Sequence, residues 1–416
     1  MGSWRELATK FLLFLATLLI ALVGFDRLAG SVLPALPPKQ VAHPPNFVEQ
    51  RHNIEFTYEF RTNSMGLRYH ELPLNKTSDH EFRTFVLGDS MTEGFGVEDP
   101  DRFTSILEKT LSTPDRPMYF LNGGLSGRGP LQYGRMLFTV GLRYHPDLAV
   151  FVIHANDPDD VPADSHLDLY RQRDGTFAVR EPDLLWPPGG RVSRLAYRLM
   201  PWIYGRLQYR AAHRDSSQLT SLNFEKFIAE RARRLNMPAA DVEAWKARLD
   251  PKILQAAVDG QFNGAQLALG LFEPDHWVNC LDLSTDVGKA RWSDMERILD
   301  ETDTLCRETH LTCAFVYSPT TVQYDPTGGS LQRRLGIHIR SEWLTEPSEL
   351  ERRLEKWSAA HSVAYMSLTD DFRRVARQRP GSLFFPLDGH WNREGNQVAA
   401  SALSAWLRER RLVPAD

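Results

Sequence analysis

The chain has 416 residues, of which 42% are hydrophobic and 25% charged, so it is globular and long enough for one enlarged domain or two small ones. Lys and Arg number 49 against 53 Asp and Glu, which gives a formal net charge of -4. This balance gives no general reason to expect a polyanionic partner, and we predict that the chain does not bind nucleic acid.

The first predicted element is an apolar run over residues 11–25, which follows two basic residues and is closed by Asp26 and Arg27. A membrane-spanning helix needs about 20 apolar residues, and the run reaches that length when its flanking residues are counted. We predict an N-terminal signal anchor over residues 1–30, with a cleaved signal peptide as the alternative. Either interpretation exports the rest of the chain, so we expect a periplasmic domain at the inner membrane.

A proline-rich segment follows, with five prolines between residues 34 and 45. Proline favours extended backbone and stops helices. We therefore predict an extended stalk over residues 31–55 and a folded domain over residues 56–416.

Apolar strands alternate with amphipathic helices in the first and last parts of this domain. Strands are predicted at 84–87, 118–121, 148–153, 312–317 and 363–366, and helices at 102–111, 131–144, 292–308, 347–361 and 394–410. Near-continuous apolar strands are covered on both faces, and this alternation is typical of parallel sheets. The sequence predicts an α/β fold, a three-layer α/β/α sandwich with a parallel sheet.

The alternation stops over residues 160–285, which we interpret as an insertion. Asp174 and Gly175 indicate a hairpin turn, and amphipathic stretches at 224–235 and 239–249 predict helices. The insertion is either a helical cap over an active site or a structural addition.

The three cysteines are Cys280, Cys306 and Cys313, and no C-x-x-C pair occurs. This disfavours a zinc ribbon, and we predict neither a metal nor a cofactor. An exported location permits a disulfide between Cys306 and Cys313, with buried free thiols as the alternative.

A candidate nucleophile follows the first strand of the sheet, in the sequence Gly88-Asp89-Ser90. Groups beyond the carboxyl ends of parallel strands face a crevice, so Ser90 is presented to a ligand there. The alternative role for this serine is an N-cap of the next helix.

A candidate base, His390, lies just before the last helix, and Asp388 lies two residues earlier. An imidazole can take the proton of Ser90, while a carboxylate fixes the tautomer of the ring and stabilises the imidazolium that forms.

Two segments after strands can supply oxyanion donors. The glycine-rich residues 122–127 allow the backbone to approach a substrate closely, and Asn156 supplies a side-chain amide. The alternative is that each segment only forms a tight turn after its strand. His154 lies two residues before Asn156, so strand alternation turns both to the same side. His154 is either a substrate contact or a structural histidine.

Taken together, these four segments resemble the blocks of the SGNH, or GDSL-type, hydrolase superfamily over about residues 60–412, the insertion excepted. The resemblance implies a flavodoxin-like fold in which Ser90 is the nucleophile, His390 the base and Asp388 its orienting acid. It also implies an oxyanion hole formed by the amide of Ser90, Gly127 and Asn156. Many members carry the acid three residues before the histidine, where this chain has Leu387. The Asp-x-His-Trp form resembles alginate-type acetylation enzymes, in which the serine follows the histidine.

The resemblance implies a serine esterase that cleaves a carboxylic ester, which we expect to be an acetyl group on an exported glycan. One alternative is an O-acyltransferase that decorates an extracytoplasmic polysaccharide with the same residues. A second is a non-catalytic glycan-binding or assembly protein that keeps the fold.

Overall fold

The computed structural model describes residues 2–32, 41–173, 175–179, 195, 198–204 and 224–414. The chain forms two compact units, Met1–Gln40 with Glu181–Leu219, and Val41–Arg180 with Thr220–Asp416. The first unit contains the long helix α1, Gly2–Val32. Its segment Thr9–Ala29 spans 21 residues with a mean hydropathy of 2.1, which is long and apolar enough to cross a membrane. A signal sequence has the same properties.

The second unit is built on a five-stranded sheet in the order β4-β3-β5-β8-β9, and every pairing in it is parallel. The strands are β1 Val48–His52, β2 Thr57–Arg61, β3 Phe82–Gly88, β4 Met118–Gly124, β5 Leu148–His154, β6 Leu169–Arg171, β7 Phe177–Val179, β8 Thr312–Ser318 and β9 Ala364–Ser367. The predicted α/β fold with a parallel sheet is confirmed. Strand order reverses between β3 and β5, which is where open α/β sheets bind ligands.

The α-helices described in the second unit either flank the two faces of this sheet or belong to a separate cluster built mainly by the insertion. They are α2 Ser90–Glu93, α3 Phe103–Leu111, α4 Pro130–Thr139, α5 Phe224–Arg234, α6 Ala239–Lys246, α7 Pro251–Val258, α8 Gly264–Leu267, α9 Leu269–Phe272, α10 Asp286–Glu308, α11 Thr321–Tyr324, α12 Ser330–Leu335, α13 Glu349–His361, α14 Thr369–Gln378 and α15 Arg393–Glu409. On β5, Phe151 and Ile153 join the cluster that includes α4, α10 and α13. Val150 and Val152 join the opposite cluster, with α3, α14 and α15. Alternate residues therefore enter two cores, which explains the continuous apolar run.

The folded domain begins at Val41, earlier than the sequence predicted. Val41 is buried in the main core, and β1 pairs with β2 as an antiparallel hairpin. The predicted stalk over residues 31–55 therefore differs from the structure in its second half, and residues 33–40 lie outside the described part of the chain. The reason is that β1 is only half-buried and polar, so the sequence carries no apolar alternation to mark it.

The insertion contains the predicted hairpin and the predicted helices. Strands β6 and β7 pair antiparallel, although Asp174 itself is outside the described residues. The predicted helices at 224–235 and 239–249 are α5 and α6, and both contribute to a third cluster around the buried Trp245. The insertion therefore has a small core of its own.

A disulfide joins Cys306 at the end of α10 to Cys313 at the start of β8. This is the first of the two alternatives that the sequence left open. Cys280 is a buried free thiol, and burial raises its pKa, so it is held in the protonated form.

Candidate active site

Ser90 is the first residue of α2, directly after β3. The carboxylate of Asp89 caps this helix by accepting a hydrogen bond from the backbone N–H of Met91 at 2.9 Å. Asp89 is thus committed to shaping the turn. The turn leaves the Ser90 hydroxyl facing a cavity of about 410 Å³ at the carboxyl ends of the strands.

His390 and Asp388 lie on the loop before α15, and they line the same cavity beside Ser90. The Nε2 atom of His390 is 2.6 Å from the Ser90 Oγ atom, and its Nδ1 atom contacts Asp388 Oδ1. Within the loop, the N–H of Phe385 donates to the carbonyl of His390 at 2.9 Å. The structure therefore brings three predicted site residues into one chain of contacts, from the Ser90 hydroxyl through the His390 imidazole to the Asp388 carboxylate.

The protonation of His390 is set by opposing effects. Burial of the ring disfavours its charged form, but the charge and hydrogen bond of Asp388 favour it more, and the pKa of His390 is raised overall. The ring of Phe95 packs against the imidazole with centroids 4.7 Å apart. Asp388 therefore stabilises the protonated form of the His390 ring.

The loop that carries Asp388 is held by residues that the sequence did not reveal as site residues. Asn53 donates from Nδ2 to Asp388 Oδ2 at 3.3 Å, and both carboxylate oxygens of Glu55 accept hydrogen bonds from the backbone N–H groups of Leu387 and Asp388. From the insertion, Gln266 donates to the carbonyl of Asp388 at 2.5 Å. Asn53 and Glu55 fall within the predicted stalk, so only the tertiary structure shows their proximity.

The predicted oxyanion donors surround the same cavity. Ser90, Gly127 and Asn156 all line it together with His390. Gly124 permits this approach, because a Cβ atom there would lie 2.0 Å from the backbone nitrogen of Glu93. Gly127 has φ +66°, a left-handed conformation that favours glycine. The loop after β4 can therefore pass close to Ser90.

A buried ion-pair cluster holds this loop from behind. Glu93 is fully buried and contacts His43 Nε2 at 3.0 Å and Arg51 Nη1 at 2.8 Å. It also accepts a hydrogen bond from the N–H of Ser126 at 3.0 Å. Burial opposes ionisation, but these partners lower the pKa of Glu93 well below its ordinary value. The carboxylate thus stays charged and fixes the residue next to Gly127.

We expect Glu93→Gln to reduce the free energy of unfolding by about 3 kcal/mol, because it leaves the half-buried guanidinium of Arg51 without its buried carboxylate partner. The measurement is urea denaturation followed by tryptophan fluorescence. Glu49→Gln is the matched control, since Glu49 pairs with the same Arg51 but is partly exposed, and we expect a change below about 1 kcal/mol. Equal effects of the two substitutions would contradict this role of Glu93.

His154 lies at the end of β5, where it lines the cavity together with Asn156. Its Nδ1 atom is 3.0 Å from the hydroxyl of Ser318 on β8, and burial lowers its pKa, which favours the neutral ring. Behind it, the fully buried Asp157 accepts the backbone N–H of His154 at 3.1 Å. The position of His154 is compatible with both predicted roles, a substrate contact and a structural histidine.

The insertion supplies a wall of the cavity. The lining residues from it are Arg231, Asn263, Gln266, Leu269, His276 and Trp277. Asp159, Glu273 and His276 offer three potential ligand atoms within 4.8 Å of one another. However, Arg291 pairs with Asp159 and Arg231 pairs with Glu273, so we interpret this group as an ion-pair cluster.

No family model matches the chain, and no curated protein matches it. Among solved structures, it is similar to a lipolytic protein of the G-D-S-L family from Veillonella parvula, with 9% identity and a TM-score of 0.35 over 79% of this chain and 99% of that one. It is also similar to a catalytic mutant of Axe2, an acetylxylan esterase from Geobacillus stearothermophilus, with 10% identity and a TM-score of 0.36 over 79% and 93% of the two chains. A third is the acetyl xylan esterase AlAXEase, with 10% identity and a TM-score of 0.35 over 78% and 98%.

Proposed function

We propose that this chain is a serine esterase of the SGNH type, with Ser90 as nucleophile, His390 as general base and Asp388 as the acid that orients it. The observation that carries the proposal is the 2.6 Å contact between the Ser90 hydroxyl and a histidine whose other ring nitrogen contacts a buried carboxylate. A nucleophilic serine requires a base in contact with its hydroxyl and a third group that orients the base, whereas a serine that only caps a helix requires neither.

In the proposed reaction, His390 Nε2 takes the proton of Ser90 as Oγ attacks the carbonyl carbon of the ester. The tetrahedral oxyanion accepts hydrogen bonds from the backbone N–H groups of Ser90 and Gly127 and from the amide of Asn156. His390 then gives its proton to the leaving alcohol as the carbon–oxygen bond breaks. Water then attacks the acyl carbon as His390 takes one of its protons. The bond between the acyl carbon and Ser90 Oγ breaks, His390 returns the proton to Oγ, and the carboxylic acid is released.

We propose that the ester is an acetyl group on a sugar hydroxyl. Amide side chains of Asn263, Gln266 and Gln332 line the cavity beside Trp277. Amides hydrogen-bond hydroxyl groups, and an indole provides a flat apolar face, so this wall supports a polyhydroxylated leaving group.

We propose that the catalytic unit acts outside the cytoplasm, on the periplasmic side of the inner membrane. Two features support this location. The apolar segment Thr9–Ala29 is suited to an anchor or a signal sequence, and the Cys306–Cys313 disulfide is typical of an oxidising compartment.

Transfer of the acyl group to a second alcohol is the alternative outcome, because Ser90 and His390 would serve both reactions. The cavity volume of about 410 Å³ lies within the range of small-molecule sites and leaves room for an acceptor beside the acyl group. A non-catalytic binding protein would have no use for the hydroxyl–imidazole–carboxylate contacts.

The test is product analysis with the full-length protein in detergent. We expect a small acetyl ester to be converted to free acetate, both alone and with acetyl-free oligosaccharides present. Mass spectrometry of the oligosaccharides distinguishes the two reactions, since acetylated sugar would favour transfer over hydrolysis. Failure to turn over any acetyl ester or acetylated oligosaccharide would reject the catalytic proposal.

A further inference from the structure

Asn156 is held by a carboxylate that lies behind the cavity. Its Nδ2 atom donates to Asp160 Oδ2 at 2.8 Å, while its Oδ1 atom is enclosed and finds no hydrogen-bond partner in the described part of the chain. The side chain still lines the cavity that contains Ser90. Because the oxygen is enclosed, the NH₂ group is the polar edge that can face a ligand.

The chemistry of a carboxylate explains this orientation. An ionised carboxyl group only accepts hydrogen bonds, so the edge of the Asn156 amide that meets Asp160 must carry hydrogens. One N–H of the amide is then used by Asp160, and the second N–H is left for the oxyanion. A carboxamide turned the other way would present an oxygen to a developing negative charge and would oppose the reaction.

We propose that Asp160 is a positioning residue that, in its ionised form, holds the Asn156 amide as an oxyanion donor. This inference rests on the proposed function, and it adds a residue that the four sequence blocks do not contain.

The surroundings of Asp160 make its hydrogen bond with Asn156 dependent on pH. Burial is the largest influence, and with the nearby carboxylates it raises the pKa of Asp160 to about 7, against the opposing effect of two arginines. The charged and titratable groups around it are Asp89 after β3, Arg128 after β4, Tyr133 on α4, Asp157 and Asp159 in the same turn, and Arg291 on α10.

The direction of the effect follows from the donor and acceptor roles. Above pH 7 the carboxylate accepts from Asn156 Nδ2. Below pH 7 the protonated carboxyl gains an O–H donor, which can satisfy the unpartnered Asn156 Oδ1 if the amide turns. Protonation of Asp160 therefore removes an oxyanion donor, independently of the protonation of His390.

The test compares wild type, Asp160→Asn, Asn156→Ala and the double variant on 4-nitrophenyl acetate between pH 5 and 9. Loss of one oxyanion donor costs about 10²-fold in kcat, so we expect that loss for Asn156→Ala. For Asp160→Asn we expect about a 10-fold loss at pH 8 with little change in KM, because a neutral amide can present either edge to Asn156. In the Asn156→Ala background the same substitution should have no further effect.

The pH profile supplies a readout that a purely structural role would not move. In wild type, kcat/KM should fall towards acid pH with a slope that exceeds one over part of the range but stays below two. His390 and Asp160 both take up a proton there, and protonation of Asp160 removes only part of the activity. In Asp160→Asn the slope should approach one. Asp164→Asn, an exposed neighbour in the same segment, is the matched control and should behave as wild type.

Several outcomes would overturn the inference. They are a wild-type slope that nowhere exceeds one, an Asp160→Asn profile parallel to wild type, or a further loss of about 10-fold when Asp160→Asn is added to Asn156→Ala. The wild-type slope needs no variant, so the inference stays testable if Asp160→Asn does not fold. If wild type has no esterase activity at all, the proposed function fails instead.

Discussion

Ser90→Ala should lower kcat for hydrolysis of a small acetyl ester by about 10⁴-fold or more. In the proposed reaction, Ser90 Oγ is the atom of the triad that forms a covalent bond to the substrate. Without it, no acyl-enzyme forms, and the remaining rate reflects direct attack of water on the ester, with the oxyanion donors stabilising the tetrahedral intermediate. The measurement is the steady-state rate on 4-nitrophenyl acetate, together with mass spectrometry after a fluorophosphonate probe, which should modify Ser90.

The matched control for this result is Ser401→Ala. The Ser401 hydroxyl is exposed on α15, where it donates to the carbonyl of Gln397 at 2.8 Å and accepts from the side-chain amide of the same residue at 3.4 Å. We expect its rate and its labelling to equal those of wild type. Comparable turnover by wild type and Ser90→Ala would remove Ser90 from the mechanism, whatever the probe modifies.

Asp388→Asn should lower kcat by about 10⁴-fold, although the carboxylate forms no bond to the substrate in the proposed reaction. The Asp388 carboxylate accepts from His390 Nδ1, which leaves Nε2 without a hydrogen and ready for the serine proton. An amide that turns its NH₂ group towards Nδ1 forces the opposite tautomer, and it carries no charge to stabilise the imidazolium. The loss therefore comes from a base that can no longer accept the proton.

The pH dependence of Asp388→Asn gives a second check with a defined sign. Asp388 raises the pKa of His390, so its neutralisation should lower that pKa. The acid limb of the residual kcat/KM profile should then move to lower pH. Asn53→Ala is the graded control, since it leaves the Asp388 carboxylate in place and removes the 3.3 Å hydrogen bond to its Oδ2 atom. It also removes the Oδ1 atom that accepts the backbone N–H groups of Glu55 and Phe56 at 2.7 and 3.0 Å, and we expect a loss below about 10-fold. An acid limb that stays at its wild-type position would contradict the role given to Asp388.

Periodicity in the sequence predicted the elements of the sheet because their burial is encoded locally. The run at 148–153 is apolar at every position since both faces of β5 are covered, and the structure extends it by one residue to His154. The helix predicted from 292 begins six residues earlier, at Asp286, because Thr285 caps it by accepting the N–H of Gly288. Helix α14, Thr369–Gln378, was missed, since its first turns are charged.

The sequence by itself determined the α/β alternation and singled out Ser90, Asn156, Asp388 and His390, because strand ends and short motifs are local features of the chain. Only the tertiary structure decided that a serine and a histidine three hundred positions apart lie 2.6 Å from each other. It also decided which carboxylates support them: Glu55, Glu93 and Asp160 carry no local signal. The physical reason is that a carboxylate acquires its role from burial and from partners distant in the sequence, and both exist only after the chain has folded.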